Sequence, residues 1–215
     1  MNKFLKINNT LYFWTLCGVF ILFAFLTKQF LYTDQLYYSS LGEQLTVEQI
    51  QNLLAFQNAT WMQILEYAFV PIVIIIRILY TSFCLQVGNL INETRWSYKS
   101  IYNISLKADI AFSLGTICNF YYYAISDNVQ KIDDLGVNFA SLLKIVGRDN
   151  IPNWLIFAFN SINLFELLYM VLLILFIKSC FNISYIKSTL LVLLTYGIGN
   201  YLYVVGMTFI YLNFS

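Results

Sequence analysis

Three ionisable residues stand inside long apolar stretches, and their side chains are the ones most able to do chemistry. They are Glu66, Arg77 and Glu166. A charge at the centre of a bilayer costs about 2.5–3.5 kcal/mol on insertion scales, so such residues face protein or water and usually have partners. Three roles are open to them: hydrogen bonding between helices, a proton or ion pathway, and catalysis.

The depth of these charges can be estimated from two tryptophans. Trp61 and Trp154 begin the two apolar stretches and mark the same interface, because tryptophan prefers the membrane–water boundary. At 1.5 Å per residue, Arg77 lies about 24 Å and Glu166 about 18 Å from that interface. The offset of about 6 Å is within reach of an arginine, so we predict an Arg77–Glu166 pair. Glu66, about 7–8 Å deep, can extend to the surface.

Two asparagines precede Glu166 at helical spacing. Asn160, Asn163 and Glu166 stand at i, i+3 and i+6, so successive members are neighbours on a helix and form a polar stripe. Asparagine side chains bond across helices in hydrocarbon. We therefore predict an intramembrane polar seam of Arg77, Glu166, Asn160 and Asn163, which Asn119 and Asn200 can join.

Composition excludes several kinds of protein. The chain has 215 residues, of which 60% are apolar and 11% charged, whereas a soluble domain carries about 25% charged residues. The net charge of +1 gives no basic face for nucleic acid. There is no histidine, which removes His-dependent proteolysis, His-ligated haem and a HExxH zinc site. There is also no P-loop sequence and no CxxC spacing.

The remaining residues form no catalytic group. Glu166 has no histidine and no second acid at a suitable spacing to share a reaction with. We therefore predict a protein that is not an enzyme and that has no cofactor and no metal site. Packing between helices is the favoured role of the seam, and an ion pathway is the alternative.

The pattern of apolar runs predicts an all-α integral membrane bundle, a single membrane domain over residues 1–215. At 1.5 Å per residue, a run of about 20 residues crosses a hydrocarbon core about 30 Å thick. The third run is the weakest. The five predicted spans are residues 11–31, 61–87, 108–125, 154–177 and 188–212.

Lysine and arginine predict the orientation, since cytoplasmic segments carry an excess of both. With the N-terminus in the cytoplasm, the inner segments hold seven such residues and the outer ones four. The C-terminus then lies outside. The inner residues are Lys3, Lys6, Arg95, Lys99, Lys107, Lys178 and Lys187, and the outer ones are Lys28, Lys131, Lys144 and Arg148.

The loops contain amphipathic segments. Short helices are predicted at 46–57, where Thr46 and Gln49 can form a capping box, and at 138–146. Each lies in an outer loop. The cytoplasmic stretch RWSYKSIYNISLK, residues 95–107, mixes basic and aromatic residues. It predicts either a connector lying on anionic lipid or a docking loop that uses Arg95, Trp96 and Lys99.

Three stretches resemble the Yip family, the Ypt/Rab-interacting membrane proteins, in the broad sense that includes bacterial members. They are PIVIIIRILYTSFCLQVGNLINETRWSYKSIYNIS, NSINLFELLYMVLLILFIKSCFNIS and TYGIGNYLY. The resemblance covers roughly residues 60–215. It implies a five-span bundle with a cytoplasmic N-terminus and no enzymatic activity.

The family pattern is incomplete in this chain. Eukaryotic members bind small GTPases through a long cytoplasmic N-terminal region, whereas about ten residues precede the first span here, so that role is not carried over. The glycine usual after the fourth span is replaced by the sequence FIKSCFN.

Together these features predict a non-enzymatic subunit that accompanies or assembles a larger membrane complex. A permease-like component of an exporter with a separate ATPase is the alternative. Its partners would be the lipid bilayer and other membrane proteins, or a cytoplasmic or periplasmic protein, and no nucleic acid. A bacterial inner membrane is the predicted location, and the Golgi or ER membrane is the alternative if the protein is eukaryotic.

Overall fold

The structure, a computed structural model, describes residues 8–91, 96–126, 129 and 131–214. These residues are predominantly helical, and no strand occurs among them, which confirms the predicted all-α class. The helices are α1 (Asn9–Phe30), α2 (Asp34–Leu41), α3 (Val47–Asn58), α4 (Thr60–Ile91), α5 (Tyr98–Ala108), α6 (Ile110–Ile125), α7 (Ile132–Leu135), α8 (Leu142–Val146), α9 (Ile156–Ser161), α10 (Leu164–Phe181), α11 (Tyr185–Val192) and α12 (Ile198–Phe214).

Four helical segments among the described residues are long and apolar enough to cross a membrane. They are α1, α4, α10 and the continuous segment Tyr185–Asn213, which joins α11 to α12 through a π-helical turn at Leu193–Gly197. Their outward side chains are mostly aliphatic and aromatic and are exposed. Such exposure is typical of a lipid-facing surface rather than of a soluble protein. A membrane protein with at least these four apolar helices is therefore the class that the fold defines.

The α1 and α4 helices form an antiparallel pair. At one end Lys28 near the end of α1 contacts Glu66 near the start of α4, at 3.2 Å. At the other end Leu16 packs in one apolar cluster with Ile74 and Ile78. The α4 helix has 32 residues and is not interrupted at Pro71, which lies within it.

The α5 and α6 helices run in succession along α1. Asp109 alone separates them, and its backbone has right-handed helical torsions, with φ −59° and ψ −13°. The Tyr12 hydroxyl of α1 donates to the Lys107 carbonyl of α5 at 3.0 Å. Further along, Phe23 of α1 packs against Phe120 of α6 with ring centroids 5.5 Å apart. The predicted third span, 108–125, is thus only the second half of this two-helix segment.

The predicted fourth span, 154–177, is not one helix. Its first part is a 3-10 turn at Asn153–Leu155 followed by α9, and α10 begins only at Leu164. Between them Ile162 and Asn163 have extended backbones, with ψ 94° and 163°. The Asn163 side chain accepts from the Glu166 backbone N–H at 2.9 Å, so it caps α10 from outside the helix. Asparagine favours this position because its side chain competes with helical backbone bonds.

Residues of the preceding loop form backbone hydrogen bonds with the extended residues between α9 and α10. The Leu142 N–H donates to the Ile162 carbonyl at 2.9 Å, and the Leu164 N–H donates to the Ala140 carbonyl at 3.1 Å. Because residues just before α8 are extended to make this pairing, the predicted helix at 138–146 is reduced to Leu142–Val146. The other predicted loop helix is α3, and the capping box of Thr46 and Gln49 is formed.

Glycines permit close contacts at two helix crossings. A Cβ on Gly115 of α6 would lie 2.9 Å from Cγ of Phe165 in α10. A Cβ on Gly199 of α12 would lie 2.7 Å from Sγ of Cys84 in α4. Both distances are too short for any residue with a side chain, so these glycines set the separation of the helices.

Candidate functional site

Arg77 is bound by Asp109 and not by Glu166. The guanidinium donates from Nε to Oδ1 and from Nη2 to Oδ2 of Asp109, each at 2.7 Å. The Asp109 side chain is fully buried, and the arginine side chain is 26% exposed. This bidentate arrangement is the strong form of an arginine–carboxylate pair, because two parallel charge-assisted bonds share one geometry.

The predicted Arg77–Glu166 pair is therefore wrong. The depth argument compared Arg77 only with other acids of the predicted spans 61–87 and 154–177, and it did not consider Asp109 at the start of the predicted span 108–125. In the structure α5 extends the segment further, and the junction at Asp109 lies beside the middle of α4. Asp109 therefore forms the ion pair with Arg77.

Two aromatic rings complete the surroundings of Arg77. Its guanidinium carbon lies 4.2 Å from the ring centroid of Phe112 and 5.4 Å from that of Phe20. The ring faces attract a cation and replace part of its lost hydration. The pair therefore joins α4 to α5–α6 and also contacts α1 through Phe20.

Glu166 is held by two donors from the last apolar segment. The Tyr196 hydroxyl donates to Oε1 at 2.7 Å, and the Asn200 amide donates to the same oxygen at 3.2 Å. The predicted participation of Asn200 is thus present, while Tyr196 was missed. Glu166 also stands in the first turn of α10, where the helix dipole stabilises a carboxylate. Its second oxygen, Oε2, has no hydrogen-bond partner among the described residues.

Asn160 and Asn163 do not form a stripe with Glu166 along one helix, because the chain is extended between α9 and α10. Asn160 instead binds the loop between α7 and α8: its Oδ1 accepts from the Asn138 N–H at 2.8 Å, and its amide donates to the Gly136 carbonyl at 3.1 Å. The amide of Asn163 donates to the Ser161 carbonyl at 3.1 Å. Asn163 therefore satisfies a backbone group at the break, whereas Asn160 satisfies backbone groups of the loop.

Asn119 of α6 serves the same loop. Its Oδ1 accepts from the Phe139 N–H at 3.0 Å. The Phe139 ring stacks on Tyr122 with centroids 5.0 Å apart and contacts Phe165 edge-on at 5.9 Å. The loop therefore inserts between α6 and α10 rather than lying on the outer surface.

Aromatic rings connect the Arg77 and Glu166 clusters. The Tyr169 ring lies 4.8 Å from Phe112 and 5.3 Å from Tyr196, centroid to centroid. Its hydroxyl donates to Thr81 Oγ1 of α4 at 2.9 Å, and Tyr169 is fully buried. The predicted single seam is therefore not formed. Arg77 and Glu166 belong to two separate polar clusters with an aromatic bridge between them, and Asn160 belongs to neither.

A cavity of about 440 Å³ lies beside Glu166, between α9, α10 and α12. Glu166, Asn163 and Asn200 are half-buried at its inner side, whereas Leu167 and Tyr201 at its rim are exposed. The rest of the lining is mostly aliphatic, and Trp154 lies at one end.

The predicted docking loop is largely packed. Arg95 lies outside the described residues. Trp96 stacks on Phe181 at 3.9 Å with the rings 3° from parallel, and its backbone N–H donates to Asn89 Oδ1 at 3.3 Å. Lys99 is exposed. The following helix α5 is buried against α4 and α10, so this stretch is not a connector on the surface.

Glu66 has a partner that the sequence analysis missed. Its Oε2 lies 3.2 Å from Lys28 Nζ, and this ammonium also donates to the Gln57 carbonyl at 3.0 Å. Burial is the main cause that raises the pKa of the nearby phenol of Tyr37, whose hydroxyl donates to the Gln57 amide oxygen. The signal was present, since Lys28 ends one predicted span and Glu66 begins the next on the same side.

Among the described residues, no three His, Cys, Asp or Glu side chains come together in a way that could hold a metal. The chemistry available at Glu166 is therefore that of a single carboxylate: accepting hydrogen bonds, attracting a cation or carrying a proton. Arg77 and Asp109 satisfy each other.

Comparison with known proteins gives no match with a family model, a curated protein or a solved structure. The fold and the site thus define the class, an all-helical membrane protein with buried polar contacts between its helices. The resemblance to the Yip family stays a prediction.

Proposed function

We propose that the chain is a five-span, non-enzymatic membrane protein that acts as a subunit of a larger membrane complex. The N-terminus lies in the cytoplasm and the C-terminus outside. The third span is the α5–α6 segment. The bacterial inner membrane is the proposed location, as the sequence analysis predicts.

The path of α5 and α6 supports a fifth span. The 16 residues of α6 extend about 24 Å at 1.5 Å per residue, and α5 adds to that length. The two helices accompany α1 from Tyr12 to Phe23, contacts that include the Lys107 carbonyl of α5 and the Phe120 ring of α6. These contacts along α1 support a crossing of the same layer by the α5–α6 segment.

The observation that carries the subunit proposal is the position of α12. None of its described side chains is buried. It touches α4 at Gly199, where the Tyr80 hydroxyl donates to the Gly199 carbonyl at 2.6 Å. Two turns later Gly206 has no atom within 4 Å of the place where a Cβ would stand. The helix also contacts α9, where Phe157 packs against Tyr203 and Tyr211. At Gly206, however, it presents a glycine to its surroundings, where another helix can approach closely.

A pair of glycine variants tests this proposal. Gly206→Leu and Gly18→Leu both place a side chain in open space on a long apolar helix, because nothing lies within 4 Å of either Cβ position. Both variants should fold as well as the wild type. The full-length protein, extracted from its native membrane in mild detergent, should carry a stoichiometric partner, and Gly206→Leu alone should lose it.

The partner can be identified by mass spectrometry of the purified complex. A partner-free monomer from native membranes, or a partner kept by both variants, contradicts the role of α12. An ATPase among the partners would instead support the alternative, a permease-like component of an exporter. Transport by the protein reconstituted alone, abolished in Glu166→Gln, would contradict both.

A further inference from the structure

The cavity beside Glu166 places one charged acceptor oxygen, to which no described residue donates, among mostly apolar side chains. Tyr196 and Asn200 both donate to Oε1 of Glu166, so Oε2 is left for a ligand. The donors of two neighbouring polar side chains are already used within the protein. The Asn163 amide donates to Ser161 O at 3.1 Å, and the Thr208 hydroxyl donates to Val204 O at 2.8 Å.

The charge of the lining selects the chemistry of the ligand. Glu166 is the charged residue in the cavity, and none of the described residues that line it is Lys or Arg. A ligand with a phosphate or carboxylate would bring a negative charge with no cation to meet it. A ligand with one ammonium group would form a charge-assisted hydrogen bond to Oε2.

The shape of the cavity selects the rest of the ligand. Its volume of about 440 Å³ is within the range of small-molecule sites, which is roughly 300–1,000 Å³. A helix about 10 Å wide would fill such a volume in little more than one turn, whereas a single hydrocarbon chain can lie along it. Leu167 and Tyr201 at the rim are exposed, so the chain can enter sideways from lipid.

We propose that this cavity binds a single-chain amphiphile carrying a protonated amine. The ammonium donates to Oε2 of Glu166, and the hydrocarbon chain lies between α10 and α12. The site is separate from the partner surface proposed above, because Gly206 does not line the cavity. Each proposal can therefore fail without the other.

Trp154 makes binding measurable, because it lines the cavity at one end. A variant that keeps Trp154 and carries Phe at positions 14, 61 and 96 can be reconstituted in nanodiscs and titrated with 12-bromododecylamine, whose bromine quenches nearby tryptophan. Saturable quenching is expected. The matched variant that keeps only Trp61, which lies outside the cavity, should show only the linear quenching of a probe dissolved in lipid.

Two substitutions in the Trp154-only protein separate the headgroup from the chain. Glu166→Gln should weaken amine binding at least about tenfold, the effect of losing one charge-assisted hydrogen bond. Val204→Phe fills the cavity without touching the carboxylate and should abolish saturable quenching. If Glu166→Gln fails to fold, Val204→Phe still tests whether the probe binds in the cavity.

Probes of equal length test the charge preference. 12-Bromododecanol and 12-bromododecanoate should bind at least about tenfold more weakly than the amine. Equal binding of all three probes, an amine affinity unchanged in Glu166→Gln, or quenching unaffected by Val204→Phe would each overturn the proposal.

Discussion

Arg77 and Asp109 neutralise each other at the middle of α4, and this pair decides how α4 meets the α5–α6 segment. Both carboxylate oxygens and two guanidinium nitrogens are used, at 2.7 Å. A buried ion pair adds little net stability over an apolar contact, but removing one partner strands the other charge. The pair therefore acts mainly as a constraint on which helices pack together.

Single and double charge substitutions test this constraint. Arg77→Ala should lower the free energy of unfolding by about 3–5 kcal/mol, because Asp109 is left charged and buried. The exchange of Arg77→Asp with Asp109→Arg should recover part of that loss. Unfolding in mixed micelles, followed by tryptophan fluorescence, measures both.

The exchange of Arg77→Glu with Glu166→Arg is the matched control, and it should recover nothing. Recovery by this second exchange but not by the first would show that the arginine pairs with Glu166 after all.

Most differences between the predicted and the observed structure concern the positions of the helices. Lys99 and Ser105 both fall in the stretch predicted to be a cytoplasmic connector. In the structure Lys99 is exposed at the start of α5, whereas Ser105 is fully buried and its hydroxyl donates to the Ile101 carbonyl at 3.1 Å. The α5 helix therefore changes from an exposed to a packed environment within two turns.

Cysteine labelling can detect this change. In a background without the four native cysteines, Lys99→Cys should react with a membrane-impermeant maleimide added to inside-out vesicles. Ser105→Cys should remain unlabelled from either side of the membrane until the protein is denatured. Equal labelling of both positions in native vesicles would support the surface connector and would contradict the packing of α5.

The apolar runs of α1, α4 and α10 can be recognised from the sequence alone, because hydropathy does not depend on which residues a helix contacts. The break before α10 was less visible, although Asn163 followed three residues later by Glu166 has the spacing of a helix start. Position Asp109 gave no such signal. Its pairing depends on where α5 lies relative to α4, which is a long-range property that hydropathy does not contain.

The same limit applies to the candidate site. Glu166 and Asn200 could be singled out because polar residues are rare in apolar runs. Tyr196 could not, since tyrosine is frequent in this chain, with 17 copies. The cavity itself lies where α9, α10 and α12 meet, and no residue pattern reports how these helices are arranged.

At the scale of the whole molecule, we propose a five-span bundle whose last helix presents Gly206 to a partner. Four apolar helices alone would return the chain to the side where it began. In the proposed topology the α5–α6 segment makes the number of crossings odd. The N-terminus, the exposed start of α5 and the loop between α10 and α11 then share the cytoplasmic side, in agreement with the distribution of Lys and Arg.

The position of the two termini tests this account most directly. Different epitope tags before Met1 and after Ser215 can be probed with protease in right-side-out and inside-out vesicles. The account predicts that protease added outside removes the C-terminal tag alone and that protease on the cytoplasmic face removes the N-terminal tag alone. Removal of both tags from the same side would show an even number of crossings and would contradict α5–α6 as a span.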